Sequence, residues 1–253
     1  MGSTTDEGIE RIVVAVPARD ESTTIAECVR SLDAAAANAG VPVHVVFAAD
    51  SCRDDTAEAA RSVALHHCTL TVLEGRWGGA GAARRAAVDA GLAGSPDLGV
   101  VWVANTDADT SVPKTWLSDQ LELARRCDAV AGIVDLDPAR VSPVLLHRFR
   151  SSYVLDGDRH VHVHGANLGL RADIYRDSGG WCANTVVGED HGLWARVLAT
   201  GAAAVHSTAL RVMTSARTTS RVDGGFASAL STLARTAVTP TAVDGPSDEV
   251  LVA

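Results

Sequence analysis

The sequence predicts an α/β protein whose mostly parallel central sheet is covered by helices on both faces. Short β-branched runs alternate along the chain with stretches that carry apolar residues at helical spacing, a pattern typical of parallel sheets with crossover helices. The run at 99–104 is almost entirely apolar, as expected for a strand that is buried on both faces. Apolar residues make up 47% of the 253 positions, so the chain can bury a substantial core.

The pattern gives regular alternation in the first half of the chain and a less regular order in the second. The predicted strands lie at 11–16, 43–49, 70–73, 99–104, 130–135, 160–170 and 204–215. The predicted helices lie at 24–39, 56–64, 80–92, 115–126 and 190–199. No repeat or linker divides the sequence, so we expect one domain over 11–236, with a flexible N-terminus at 1–10 and a mobile tail at 237–253.

Charge and composition exclude several classes of partner. The formal net charge of -9 argues against nucleic acid or an anionic membrane as a partner, because both require a basic surface. The longest apolar run, 98–104, is far shorter than the ~20 residues that span a bilayer, and residues 1–10 have no features of a leader peptide. The five cysteines are scattered without a Cys-x-x-Cys pair, which indicates free thiols and a cytoplasmic location.

Two aspartates, Asp107 and Asp109, closely follow the strand predicted at 99–104. Ligands of parallel sheets gather at the carboxyl ends of the strands, and residues two apart in an extended chain point the same way. Two carboxylates that face one site repel each other unless a cation or a proton offsets their charge, and Mg²⁺ or Mn²⁺ suits such oxygen ligands. The alternative is a turn in which these aspartates cap the following helix.

A second acidic pair, Glu189 and Asp190, opens the helix predicted at 190–199. Backbone N–H groups and the helix dipole favour negative charge at this position, so helix capping alone would explain the pair. The functional alternative makes one of the two acids a general base that removes a proton from an acceptor hydroxyl.

A glycine-rich run at 75–85 lies between a predicted strand and a predicted helix. Glycines let the backbone approach a ligand closely, and the start of a helix attracts phosphate. Arg84 and Arg85 are candidates to clamp a diphosphate, and the alternative for both is a solvated position on the helix. The segment from Gly79 also approaches the dinucleotide fingerprint, although Arg84 replaces its last glycine. An NAD(P)-dependent oxidoreductase with its cofactor loop at 75–85 is therefore a second hypothesis.

Three histidines, His160, His162 and His164, alternate with valine, so their side chains are expected on one face of a strand. Such spacing could hold a transition metal such as zinc. No cysteine or acid at comparable spacing completes a ligand set, so the polar wall of a cleft is the favoured interpretation.

In their order along the chain, these segments resemble the family 2 glycosyltransferases, whose catalytic domain has the Rossmann-like GT-A fold. The similarity runs from about residue 11 to residue 230. Its motifs are VPARDE at 16–21, ADSCRDDT at 49–56, the Gly-Ala-Arg helix start at 79–85, DAD at 107–109, HGANL at 164–168, GGW at 179–181 and GED at 188–190. The resemblance divides the domain into a nucleotide half at about 11–110 and an acceptor half at about 111–236.

The resemblance implies a nucleotide site in the first half of the chain. The residues matched to it are Pro17, Ala18, Arg19, Glu21, Asp50, Gly79, Arg84 and Asp107. Asp50 matches the acid that commonly contacts the base, which favours uridine. Ala49 and Ser51 depart from the Asp-Asp-Gly-Ser pattern that is usual around it.

The resemblance also implies a metal site, a catalytic base and an acceptor side. Asp107 and Asp109 match the Asp-x-Asp motif and would hold Mg²⁺ or Mn²⁺, with His206 as a candidate third ligand. Asp190 matches the usual catalytic base, and Glu189 would be a supporting acid. The residues matched to the acceptor side and to a closing segment at 214–226 are Gly165, Asn167, Gly179, Gly180 and Arg217, the last of which could reach the diphosphate.

The implied activity is that of a metal-dependent, inverting glycosyltransferase. It would move a sugar from a nucleoside-diphosphate donor, with a UDP-sugar favoured, to a hydroxyl acceptor. A non-catalytic protein that binds sugar nucleotides is a third hypothesis, favoured by the altered segment at 49–51.

Overall fold

The computed structural model describes residues 8–153, 155–157, 159–183, 188–217 and 226–235. Its strands are β1 (Arg11–Ala18), β2 (Val43–Asp50), β3 (Thr69–Gly75), β4 (Val101–Asn105), β5 (Thr110–Ser111), β6 (Ala129–Leu136), β7 (Leu155–Asp156), β8 (Arg159–His160), β9 (Leu168–Arg171) and β10 (Ala204–Thr214). Its helices are α1 (Ile25–Ala36), α2 (Thr56–Arg61), α3 (Ala80–Leu92), α4 (Trp116–Ala124), α5 (Pro143–Ser151), α6 (Ala172–Asp177), α7 (Glu189–Ala199) and α8 (Phe226–Arg235). The predicted N-terminal segment lies mostly outside the described residues, and the tail predicted at 237–253 lies wholly outside them.

Eight of these strands form one sheet in the order β3-β2-β1-β4-β9-β6-β10-β5. Strands β3, β2, β1 and β4 are mutually parallel, and β6 is parallel to β10. Strand β9 runs antiparallel to both β4 and β6, and β5 runs antiparallel to β10. The mostly parallel α/β sheet that the sequence predicts is confirmed, and within this sheet the carboxyl ends of β1, β2, β3, β4, β6 and β10 meet at one edge.

Helices cover both faces of the sheet. Helices α1, α4 and α5 pack on one face, together with Leu230 of α8, and α3, α6 and α7 pack on the other. Alternate residues of β1 point into these two cores, Val14 into the first and Val13 into the second, and both are fully buried. Burial on both faces explains why β1 and β4 are continuous apolar runs. No helix in the described residues is long and apolar enough to cross a membrane.

The single strand predicted at 160–170 is wrong. Only its ends lie in strands, β8 and β9, and a 3₁₀ turn, Gly165–Asn167, separates them. The cause is the buried amide of Asn167, which donates to the backbone oxygens of Ile133 and Leu210 at 2.9 Å each. Its oxygen accepts from the indole of Trp116 at 2.9 Å. The Asn167 side chain therefore makes hydrogen bonds to the backbone of neighbouring strands that backbone N–H groups make in a regular strand.

Helices α5, α6 and α8 and the short strands β5 and β7 were not predicted from the sequence. Helix α5 has local signals, because Ser142 Oγ accepts from the backbone N–H of Leu145 at 3.2 Å and Pro143 occupies the first turn. Its Arg150 joins Arg211 of β10 in binding Asp135, a carboxylate that is 1% exposed at the end of β6. Burial would raise the pKa of Asp135, but the hydrogen bonds from Arg150 and Arg211 lower it. This contact anchors α5 beside the carboxyl edge of the sheet.

Candidate active site

The carboxyl end of β4 carries both predicted metal ligands. Asn105 fixes this end, because its buried amide donates to the Leu168 oxygen at 3.2 Å and accepts from the Trp181 indole at 3.1 Å. Asp107 and Asp109 lie just beyond it, between β4 and β5. Both carboxylates therefore lie at the edge where the carboxyl ends of the parallel strands meet.

Asp109 lies in a concentration of negative charge. Its Oδ2 contacts Nη2 of Arg217 at 3.1 Å, and the same guanidinium reaches Glu21 at 3.0 and 3.3 Å. Burial, together with the carboxylates of Asp107 and Glu21, raises the pKa of Asp109 to about 7, although Arg217 opposes the shift. A divalent cation would relieve this repulsion, so the donor set fits Mg²⁺ or Mn²⁺.

Arg84 enters the same site from α3, and its side chain is only 4% exposed. Its Nη2 pairs with Oδ1 of Asp107, and its Nη1 donates to Oε1 of Glu189 at 3.1 Å. Burial alone would lower the pKa of Arg84, but Asp107 and Glu189 raise it, so the guanidinium stays charged. The solvated position considered for Arg84 from the sequence is therefore wrong, and the side chain joins the two acidic motifs.

The loop after β1 holds two of the residues that the resemblance assigns to the nucleotide, Arg19 and Glu21. Arg19 of this loop is exposed, whereas Glu21 is 5% exposed. Asp20 accepts from the backbone N–H of Arg53 at 2.7 Å, and the N–H of Glu21 donates to Thr56 Oγ1 at 2.7 Å. The acidic segment after β2 thus fixes the shape of the loop after β1. Pro17 and Ala18 lie at the end of β1, directly before this loop.

Asp50 ends β2 and shapes the glycine-rich loop. Its side chain is buried, and it accepts from the backbone N–H groups of Trp77 at 2.7 Å, Gly78 at 3.1 Å and Gly79 at 2.9 Å. Both carboxylate oxygens therefore have partners within the protein. Asp50 therefore shapes the glycine-rich loop, and its contact with a nucleotide base stays a prediction.

The second acidic pair opens α7, one residue before the predicted start. Glu189 is held by Arg84, as described above. Asp190, in the first turn of α7, accepts from the N–H of His191 at 2.8 Å and from the N–H of Gly165 at 3.2 Å, while the N-cap position is occupied by Gly188 without a side-chain capping bond. Asp190 therefore also joins α7 to the 3₁₀ turn on the acceptor side.

The predicted acceptor-side residues divide into two groups. Gly179 and Gly180 form a turn after α6 whose backbone oxygens accept from Arg85 at 3.3 Å and from Arg196 at 2.5 Å. This turn leads into Trp181, and the guanidinium carbon of Arg84 lies 5.0 Å from the centre of a Trp181 ring. Asn167 is instead part of the core, as the bonds of its amide to Trp116 and to two strands require.

The three alternating histidines lie beside the acceptor-side turn. Ring centres are 6.1 Å apart for His160 and His162 and 5.9 Å apart for His162 and His164, as residues two apart on one face require. Burial lowers the pKa of His164 to about 4, and its Nε2 lies 2.9 Å from the hydroxyl of Tyr153. These rings form a polar wall with a neutral histidine at one end.

His206 packs with this histidine wall. Its Nδ1 lies 3.2 Å from the backbone oxygen of His162, and its ring lies 4.9 Å from that of Trp194. Within the described part of the chain, the ligand atoms of Asp20, Cys52 and Asp54 form the one group of three that lies within 4.8 Å. None of these histidines belongs to that group, and the third-ligand role of His206 stays a prediction.

A cavity of about 480 Å³ opens beside Asp109 and Arg217. The rest of its lining comes from α1, β5, β10 and the loop after β6, and includes Glu27 and Arg140, which pair at 2.7 Å. These segments are far apart in sequence, so no local motif could have predicted the cavity. It provides space for a ligand next to the proposed metal ligand.

The sequence matches a known protein family, and the fold matches solved structures. Residues 13–176 match the family described as Glycosyl transferase family 2. No curated protein matches the sequence significantly.

Solved structures of similar fold include S. aureus TarS 1-349, with a TM-score of 0.54 and 16% identity over 82% of this chain and 61% of that one. The same protein in complex with UDP gives 0.52 and 17%, over 78% and 58%. Mannosyltransferase PcManGT from Pyrobaculum calidifontis, in complex with GDP-Man and Mn2+, gives 0.54 and 17%, over 81% and 56%. This chain thus spans about three fifths of their length, and at these identities the likeness shows the fold. The family match extends over more than half of the sequence, so this chain belongs to glycosyl transferase family 2.

Proposed function

We propose that this chain is a glycosyltransferase that takes its sugar from a nucleoside-diphosphate donor, with a UDP-sugar favoured, and transfers it to a hydroxyl acceptor with inversion of configuration. The observation that carries the proposal is that one buried guanidinium, that of Arg84, contacts both Asp107 and Glu189. The proposed metal-binding acids and the proposed catalytic acids therefore lie around a single site. The complexes of similar fold with UDP and with GDP-Man support a nucleotide-sugar donor.

Asp107 and Asp109 are the residues that would hold Mg²⁺ or Mn²⁺. The presence of Mn2+ in the PcManGT complex supports a divalent cation in this fold. A cation bound there would act as a Lewis acid and offset the charge of the departing diphosphate. Arg217 would add positive charge at the same place, because its guanidinium lies against Asp109 and Glu21.

Asp190 is the proposed base. Its carboxylate accepts hydrogen bonds from the backbone N–H groups of Gly165 and His191. Oε1 of Glu189 instead accepts from Arg84. Asp190 would take the proton of the acceptor hydroxyl, and the acceptor oxygen would attack the anomeric carbon opposite the departing diphosphate. Such in-line attack inverts the configuration of that carbon.

The assignment of the base is tested by comparing Asp190→Asn with Glu189→Gln under saturating donor. If Asp190 is the general base, Asp190→Asn should lower the rate of nucleoside-diphosphate release by roughly 10²–10⁴-fold. As a helix cap alone it should change little, because Asn caps about as well as Asp. A collapsed rate in the Glu189 variant beside a normal rate in the Asp190 variant would move the base to Glu189. Release of nucleoside diphosphate by the unaltered protein would also exclude the non-catalytic hypothesis.

The donor and the metal are tested by thermal shift with UDP, GDP and ADP, each with and without Mn²⁺. Ligand at a hundredfold excess over its Kd should stabilise the protein by about 2.7 kcal/mol. We expect UDP with Mn²⁺ to give the largest shift and Asp109→Ala to abolish the part that depends on Mn²⁺. An unchanged affinity for UDP and Mn²⁺ in this variant, measured by calorimetry, would refute the metal assignment.

A further inference from the structure

The connection between the two acidic motifs depends on how Arg84 is buried. Its guanidinium lies over Trp181, and Nε has no acceptor among the described residues. The guanidinium therefore donates through its two terminal nitrogens, Nη2 to Asp107 and Nη1 to Glu189. A lysine at this position could not serve both carboxylates with the same fork.

Two glycines provide the space for this arrangement. A Cβ on Gly165 would lie 2.6 Å from the guanidinium carbon of Arg84, so the backbone there forms one wall of the guanidinium site. A Cβ on Gly81, in the first turn of α3, would lie 2.8 Å from the Cys182 oxygen and 3.2 Å from Cγ of Glu189. Any larger residue at either position would push Arg84 or Glu189 away.

Gly165 also links this site to Asp190. Its N–H donates to Oδ2 of Asp190, while the absence of a side chain admits Arg84. The guanidinium thus packs against the same backbone that holds the proposed base. A displacement of Arg84 would therefore alter the contacts of Asp107, Glu189 and Asp190 together.

We infer that Arg84 is a positioning residue that couples the proposed metal site to helix α7, an inference that rests on the proposed function. Asp107 and Glu189 share one guanidinium, so a change in the charge of either acid alters the pairing of the other. Loss of the Glu189 charge lets Arg84 pair more strongly with Asp107, which lowers the affinity of Asp107 for a cation. The placement of α7 and of Asp190 thereby depends on the charge at the metal site.

The test measures the effect of Glu189→Gln on Mn²⁺ affinity with and without Arg84, by calorimetry at saturating UDP. In the otherwise unaltered protein, this change should weaken Mn²⁺ binding by roughly 3- to 10-fold. In an Arg84→Met background, it should change the affinity by less than about twofold. The matched control is an Arg85→Gln background, because Arg85 is the next residue of α3, is half exposed and contacts backbone oxygens of the turn before Trp181. In the Arg85→Gln background, Glu189→Gln should still weaken Mn²⁺ binding by roughly 3- to 10-fold. If Glu189→Gln weakens Mn²⁺ binding equally with and without Arg84, the inference is overturned.

A second measurement needs no ligand and separates this inference from the proposed function. The losses of melting temperature caused by Arg84→Met and Glu189→Gln should not add in the double variant, because both remove the same ion pair. The losses from Arg85→Gln and Glu189→Gln should add. Failure of the unaltered protein to bind UDP or Mn²⁺ would refute the proposed function, whereas additive losses for Arg84 and Glu189 would refute the link itself.

Discussion

Replacing Arg217 with methionine should strengthen Mn²⁺ binding in the absence of nucleotide and weaken UDP binding at saturating Mn²⁺. The guanidinium contacts Asp109 at 3.1 Å and Glu21 at 3.0 and 3.3 Å, and its side chain is 33% exposed. A cation bound by Asp109 would therefore meet a positive charge that already occupies one carboxylate oxygen. A nucleoside diphosphate would instead be attracted by the same charge.

The magnitude follows from these contacts. A hydrogen bond to a charged group contributes about 1.5–3 kcal/mol, and partial exposure reduces this through screening to on the order of 1–2 kcal/mol. Without nucleotide, Arg217→Met should therefore strengthen Mn²⁺ binding by roughly 5- to 30-fold. At saturating Mn²⁺, loss of the contact with the diphosphate should weaken UDP binding by a similar factor.

Isothermal titration calorimetry measures both affinities on the same protein. Arg140→Met is the matched control, because Arg140 lines the same cavity but pairs with Glu27 and Asp137. It should change both affinities by less than about twofold, as expected for a half-exposed ion pair. Changes of the same sign in the Arg217 variant, or a control that matches it, would show that Arg217 does not act between metal and diphosphate.

Three further variants test the geometry of the site. The folded protein holds the Asp109 proton more tightly than the unfolded chain does, since burial, Asp107 and Glu21 raise its pKa from 3.8 to about 7. The free energy of unfolding in EDTA should therefore fall as pH rises from about 4 to 7, and Asp109→Asn should gain stability over the unaltered protein by at most about 4 kcal/mol at pH 8, measured by urea denaturation. No growth of this difference between pH 4.5 and pH 8 would contradict the charge argument. Gly165→Ala should lower the free energy of unfolding by about 1–3 kcal/mol through its clash with Arg84, and an unchanged urea midpoint would exclude that contact. Asp50→Asn should cost about 1.5–3 kcal/mol in the same assay and remove any difference between the thermal shifts given by UDP and ADP, whereas a persisting difference would exclude base reading by Asp50.

The parts of the fold predicted correctly are those that local patterns determine. Helix α3 begins and ends at the predicted residues, because its apolar spacing and the preceding glycines are local features. The placement of Asp107 and Asp109 was also predictable, since both follow an apolar strand in an alternating α/β pattern.

The parts predicted wrongly depend on contacts between distant segments. The break between β8 and β9 follows from the bonds of Asn167 to Trp116 and to two other strands. The burial of Arg84 depends on Gly165 and Trp181, which belong to the other half of the chain. The resemblance matches Arg84 and not its exposed neighbour Arg85 to the nucleotide site, but only the tertiary structure shows that Arg84 lies between Asp107 and Glu189.

The antiparallel strand β9 has a consequence for how the molecule can be divided and made. Strands β4 and β6 do not pair with each other, and both bond to Leu168–Arg171 between them. A fragment that ends before β9, such as one limited to residues 11–110, would leave the apolar edge of β4 unpaired. Such an edge can pair with other chains, so the fragment should aggregate. On the ribosome, the centre of the sheet stays open until residue 171 has emerged. The half of the chain to which we assign the nucleotide therefore cannot be excised as a self-contained module without a substitute for this strand.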